Sequence, residues 1–215
     1  MKLVSDIADF SRRDLTLSRK TKPVLLTGTT GPAIIVIHEV YGFTPAVARF
    51  CRWVRDAGFR VYAPILFGNL DTSNAEKISP ARIVSPCVSR EFTILRANKS
   101  SPVTEWLRAL ARLAHGECGG RGVGAIGMCL TGGFALSMAL DPAVLAPVLA
   151  QPGLPATRPS ALDIAPADLA RVQARTREGL GLRGYRFEGD TICQASRFET
   201  LRTFRPSLHR HRDTR

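Results

Sequence analysis

A cysteine stands at the apex of the run 122–133, GVGAIGMCLTGG, between a short apolar β-type stretch and a helical pattern, FALSMAL over 134–140. Cys129 is therefore placed as a nucleophile is placed, on a sharp bend at the end of a buried strand. Small residues on both sides let such a bend form without a Cβ clash. The helix that follows offers free N–H groups and a positive dipole end, which favour a thiolate and a developing oxyanion. A structural reading competes with this one, because free cysteines are commonly buried. A thiol with pKa near ~8.5 is only a few per cent ionised at pH 7, so a nucleophile here needs a base nearby or a lowered pKa.

Two carboxylates sit where they could serve it. Glu39 follows the continuous apolar run 32–38, and Asp190 ends the stretch GYRFEGD over 184–190. Glu39 buried beside the thiol could exchange its proton, since burial raises a carboxyl pKa toward the useful range; its alternative is a salt-bridged rim acid. Asp190 is read as a strand-end acid, or else as a turn or N-cap acid before the next helix.

The elements that must position these residues alternate along the chain. Residues 13–29 read as an initial hairpin or edge strands. The β-branched run 32–39 lacks alternation, which suggests a strand covered on both faces. Thr44 and Pro45 open a helix whose apolar positions Val47, Phe50, Cys51 and Val54 recur at three and four residues, and Gly58 stops it. Residues 60–66 read as a strand, and 68–100 as an irregular cap or substrate loop. Ser101 and Pro102 open an amphipathic helix carrying Val103, Trp106, Leu107, Leu110 and Leu113. Further elements are the strand before Cys129, its helix, a strand at 144–149, a helix at 166–175, a strand at 184–190 and a helix at 195–204. This order predicts an α/β fold, a doubly wound, mostly parallel sheet of the α/β-hydrolase type. Glu39, Cys129 and Asp190 then lie at the carboxyl ends of strands, where ligands gather in open α/β sheets.

The 215 residues suit one domain over 1–215, with 205–215 as a basic tail, and no internal repeat interrupts it. Hydrophobic content of 45% and charged content of 22% are ordinary for a globular chain. No apolar run approaches the ~20 residues of a membrane span. The first residues carry early acids and no apolar core, unlike a signal peptide, so a cytoplasmic location is expected. The five cysteines are odd in number and free of CxxC spacing, which argues against a disulfide framework or a zinc site. The four histidines form no metal cluster with them, and neither a metal nor a cofactor is expected. Net charge is +12, from 30 basic against 18 acidic residues. With no basic, aromatic-interleaved element, the excess reads as a solvated arginine-rich surface rather than a nucleic-acid site.

Three blocks together resemble the dienelactone hydrolase family, the cysteine-dependent α/β-hydrolases. They are HEVYG at 38–42, GMCLTGG at 127–133 and GYRFEGD at 184–190, and the likeness spans residues 23–204. It implies that Cys129 is the nucleophile, Asp190 the triad acid, and Glu39 the carboxylate that takes the thiol proton when substrate binds. It also implies an oxyanion hole from the N–H groups of Val40 and Leu130. The general rule agrees for Leu130, because the residue after the nucleophile donates one such N–H. The family's type substrate is an unsaturated lactone carrying a carboxylate, clamped by arginine. Arg90 is the better placed candidate and Arg82 the other, each equally readable as an arginine that ties its loop to the body.

The chain departs from the family pattern twice. Thr131 stands where the elbow has glycine, and a β-branched residue there is expected to narrow the approach to the backbone. The triad histidine and the strand before it have no clear position, since only 205–215 remain after the last helix. Extended, residues 205–211 span ~23 Å, enough to bring His211 or His209 back to the top of the sheet. The composition of that stretch, with a proline and several arginines, makes a poor strand; it also reads as a frayed tail left by truncation or a frameshift.

The expected function is hydrolysis of an ester or lactone through a cysteine acyl-enzyme. The alternative is a catalytically impaired protein of the same fold that binds a small ligand or a partner. A thiol redox sensor, with Cys193 resolving an oxidised Cys129, is the third reading.

Overall fold

The computed structural model describes residues 7–66, 101–153, 158 and 160–202. Seven strands form one sheet: β1 (Ser11–Leu17), β2 (Lys20–Thr27), β3 (Ala33–Ile37), β4 (Arg60–Pro64), β5 (Val123–Met128), β6 (Val144–Ala150) and β7 (Arg183–Tyr185). Their order is β1-β2-β4-β3-β5-β6-β7. The two pairings made by β2 are antiparallel, and those among β4, β3, β5, β6 and β7 are parallel. The α/β reading therefore holds, and the 13–29 stretch is a hairpin. Its turn residues Ser18 and Arg19 have φ 47 and φ 62, the positive pair that matches a tight hairpin's twist.

Helices cover both faces. They are α1 (Pro45–Asp56), α2 (Val103–Cys118), α3 (Gly132–Met138), α4 (Pro166–Arg177) and α5 (Ala195–Arg202). Thr44 caps α1 by accepting from the Val47 N–H at 3.3 Å, with proline in the first turn, so the sequence signal at 44–45 is realised. Side-chain alternation explains the unbroken apolar run of β3. Ile35 and Ile37 join a core with Trp106, Leu107 and Leu110 of α2 and Phe134 of α3. Val36 points the other way, to Val47, Ala48 and Cys51 of α1. A strand buried on both faces has no polar side to show.

From β3 the chain passes through α1 to β4 on one side, while β5 lies on the other. The strand order thus reverses between β3 and β5, and a crevice opens beyond their carboxyl ends. His38, the first residue after β3, staples that end to β4. The Leu66 N–H donates to His38 Nε2 at 3.0 Å, so Nδ1 carries the proton and donates to the Glu39 carbonyl at 2.7 Å. The ring is fully buried, and burial lowers its pKa from 6.5 to about 4. No described helix is long and apolar enough to cross a membrane.

The His38 staple sets an acid limit on stability. Between about pH 6.5 and 4 the unfolded chain binds a proton that the folded ring refuses, so stability is complete above this window and falls as pH drops through it. About 2 kcal/mol is expected to be lost between pH 7.5 and 5.0, from the lowered His38 value. Urea unfolding midpoints at the two pH values measure it; His38→Gln, which has no proton to take up, is expected to flatten the difference.

Candidate active site

At the end of β5 the backbone reverses through a single 3₁₀ turn, Cys129–Thr131, directly into α3. Cys129 has φ 53, a left-handed conformation that a non-glycine residue adopts only under constraint. Close packing supplies the constraint. A Cβ at Gly127 would lie 2.3 Å from the Thr131 carbonyl oxygen, and one at Gly132 would lie 2.6 Å from Pro152 Cα. The Gly153 N–H donates to the Cys129 carbonyl at 2.8 Å. Cys129 itself is half-buried.

Glu39 and Val40 begin a tight turn after β3, closed by the Gly42 N–H on the Glu39 carbonyl at 3.0 Å. Both residues are half-buried. Glu39 and Asp190 come close enough to Cys129 for their charges to act on its thiol. Burial pushes the thiol pKa up, the charge of Glu39 adds to this, and so does that of Asp190; a backbone hydrogen bond from Leu130 opposes them. The sequence expectation of a helix-stabilised thiolate is thereby corrected. The thiol is thus pushed up, the direction opposite to the one a helix N-terminus favours.

Asp190 requires a second correction. Strand β7 ends at Tyr185, so the acid is not at a strand end but on the loop beyond it. There the Asp190 N–H donates to the Phe187 carbonyl at 3.3 Å, with Gly189 at φ 81. One carboxylate oxygen, Oδ1, accepts from the N–H groups of Ile192 and Cys193 at 2.9 and 2.8 Å. This is the turn-acid alternative realised, and it fixes the carboxylate beside the elbow.

Thr131 gives the third correction. Its side chain is fully buried beneath the elbow and does not narrow the approach to Cys129. Cys193 is fully buried as well, with its thiol pushed up to about 11 by desolvation, a weak candidate for a resolving thiol. The other described histidine, His115, bonds the Gly120 carbonyl at 3.1 Å, before β5 and so at the opposite end of the sheet. Arg82, Arg90, His209 and His211 lie outside the described residues, and among those described no group of side chains forms a metal site.

Two features escaped the sequence. Arg197 of α5 is 1% exposed and donates to the carbonyls of Pro152, Ala161 and Arg158 at 2.6, 3.0 and 3.2 Å. It thus anchors the segment whose Gly153 holds Cys129. An arginine in a short helix reads as surface, and no sequence signal marks this one. The second feature is an apolar rim. Four large apolar side chains are exposed among the described residues: Tyr41, Trp53, Phe187 and Ile192. Three belong to the loops of Glu39 and Asp190. Ile192 comes within 3.5 Å of a Cβ built on Gly153, and Cys129 C lies 3.6 Å from the same point.

Solved structures share the architecture. A lidless α/β serine hydrolase from Xanthomonas campestris is 13% identical with a TM-score of 0.58, covering 96% of this chain and 85% of its own. A dienelactone hydrolase-like promiscuous phosphotriesterase from metagenomic libraries is 16% identical with a TM-score of 0.61, covering 94% and 79%. Naproxen esterase from Bacillus subtilis is 13% identical with a TM-score of 0.60, covering 98% and 86%. These likenesses speak for the α/β-hydrolase fold. No curated protein matches the chain in sequence. The sequence profile of the dienelactone hydrolase family matches residues 22–169, which include the elbow and the Glu39 turn. With that match over most of its length, on a sheet whose switch point carries a strained cysteine, the chain belongs to the dienelactone hydrolase family and is a hydrolase of the α/β-hydrolase fold.

Proposed function

We propose that this hydrolase cleaves an ester or lactone through a thioester on Cys129, with Glu39 taking the thiol proton and Asp190 as the triad acid. The observation that carries the reading is the Cys129 backbone at φ 53, at the head of an elbow where the charges of both carboxylates reach the thiol. In the resting protein the proton stays on sulfur. With substrate bound, Sγ passes it to Glu39 and the thiolate attacks the carbonyl carbon. The carbonyl electron pair moves to oxygen, where the N–H groups of Leu130 and Val40 receive it, each worth ~3–4 kcal/mol in such sites. Collapse breaks the bond to the leaving alkoxide, which takes the proton from Glu39. Water then attacks the thioester, gives up a proton to the carboxylate, and the thiol is restored. Asp190, fixed by two N–H groups, is the acid to orient a histidine, for which His211 and His209 are the candidates.

A second reading, an impaired ligand-binding protein of the same fold, is favoured by one observation. Both described histidines hold a ring nitrogen on a partner other than Cys129.

The rim of Tyr41, Phe187 and Ile192 favours a substrate with an uncharged apolar portion. Such a substrate contrasts with the carboxylate-bearing lactone of the family, whose clamp Arg90 would supply.

Hydrolysis of p-nitrophenyl butanoate tests the nucleophile. Cys129→Ala is expected to cost about 10³-fold in rate; an unchanged rate overturns the assignment, and an inert wild type supports the impaired reading.

Glu39→Gln separates base from bystander. Removing its negative charge lowers the thiol pKa, so iodoacetamide should alkylate Cys129 roughly three- to tenfold faster at pH 7. Hydrolysis should slow in the same variant. A fall in both rates would mean that Glu39 promotes the thiolate in the free protein.

For substrate class, the p-nitrophenyl butanoate is expected to exceed the anionic succinate half-ester in kcat/KM by about tenfold or more, because the terminal carboxylate of the half-ester loses water against an apolar rim where the butanoate methyl gains contact. The reverse preference would point to an arginine clamp at Arg90 or Arg82.

A further inference from the structure

We infer that Thr131 is a positioning residue: its buried hydroxyl fixes the backbone of Met128, the residue before Cys129, relative to the peptide that begins Glu39, and so holds the proton acceptor against the thiol. The inference rests on the roles proposed above for those two residues.

Strands β3 and β5 stay in register up to the pair Ile37 and Gly127. Beyond it they part, β3 into the turn at 39–42 and β5 into the elbow, and the crevice opens between them. At this fork the Thr131 Oγ1 accepts from the Met128 N–H at 3.1 Å. Its single proton faces three carbonyls, Ile37 at 3.2 Å, His38 at 3.1 Å and Met128 at 3.0 Å. A hydroxyl has one donor and two acceptor lone pairs, so one atom can join both strand ends at once.

The partners explain the consequence. Met128 is the residue joined to Cys129, and the His38 carbonyl belongs to the peptide bond that begins Glu39. The hydroxyl thus lies between the two backbones that carry sulfur and carboxylate. Thr131 is 0% exposed, and in a buried setting such hydrogen bonds are stronger and costlier to break. Its β-branch also restricts χ1, which keeps the oxygen on these partners. Glycine, the usual residue of this elbow position, has neither the hydroxyl nor the volume. The chain has therefore moved part of the alignment of its proton-transfer pair onto a side chain.

Proton transfer needs donor and acceptor within ~3.2 Å, and an error near 1 Å costs on the order of 10²-fold. Thr131→Val keeps the shape and removes the pin. Butanoate ester hydrolysis is then expected to fall about 10- to 100-fold in kcat with KM within about twofold, while Thr131→Ser stays within about threefold of wild type. A loosened Glu39 also acts less on the thiol. Alkylation of Cys129 by iodoacetamide should therefore speed up, its pH profile moving down toward that of Glu39→Gln. The double variant, Thr131→Val with Glu39→Gln, should alkylate no faster than Glu39→Gln alone.

A purely structural threonine would instead change thermal stability while leaving the alkylation profile at its wild-type position, and that result overturns the proposal. If Thr131→Val does not fold, Thr131→Ala and Thr131→Ser give the same comparison with smaller demands on packing. Cys129→Ala is the control that keeps the two levels apart. Should it hydrolyse like wild type, the nucleophile reading fails. Should it be inert while Thr131→Val keeps wild-type rates and profile, only the role of Thr131 fails.

Discussion

A non-glycine residue held at φ 53 costs on the order of 1–3 kcal/mol, and the rest of the site is arranged so that Cys129 has no easier conformation to adopt. From below, the Thr131 carbonyl presses into the space that a side chain at Gly127 would fill. On one flank Pro152 closes against Gly132, and the neighbouring Gly153 holds the Cys129 carbonyl. Arg197 in turn holds Pro152. Each contact depends on the next, so the strain at Cys129 is shared with α3, with Pro152 and Gly153, and with α5.

The fork between β3 and β5 gives this strained turn its chemical surroundings. Parallel strands buried on both faces leave no room for polar side chains within the sheet, so polar groups collect where the strands end. His38 satisfies one such end by joining it to Leu66, and Thr131 satisfies the other by joining it to the elbow. Glu39 and Asp190 then lie near a half-buried thiol, and desolvation with the two negative charges pushes its pKa up. A resting thiol is less open to oxidation than a thiolate. With Cys193 buried and its thiol raised to about 11, the same electrostatics speak against the redox-sensor reading.

Much of this was legible along the chain. The β-branched run at 32–37, the Thr44 and Pro45 helix start and the glycine-flanked cysteine are local signals, and each corresponds to an element of the fold. The structure departs from the local signal where a turn overrides strand propensity and where a side chain meets groups distant in sequence. The stretch 184–190 has β-formers, yet its strand stops at Tyr185, because Gly189 and the Asp190 side chain close a turn. Thr131 suggested crowding of the crevice, yet its side chain points beneath the elbow because the carbonyls of Ile37 and His38 wait there. Those oxygens are more than ninety residues away in sequence, and no local pattern announces them.

The sequence by itself determined the alternation of strands and helices, the glycines that permit a sharp turn at Cys129, and the order of Glu39, Cys129 and Asp190 along the chain. These are matters of side-chain type, period and spacing, which a chain carries before it folds. Tertiary structure alone decided the upward push on the Cys129 thiol pKa, the burial of Arg197, and which face of the elbow Thr131 occupies. Those outcomes depend on desolvation and on carbonyls brought together by the parting of β3 and β5, and neither exists until the sheet is assembled.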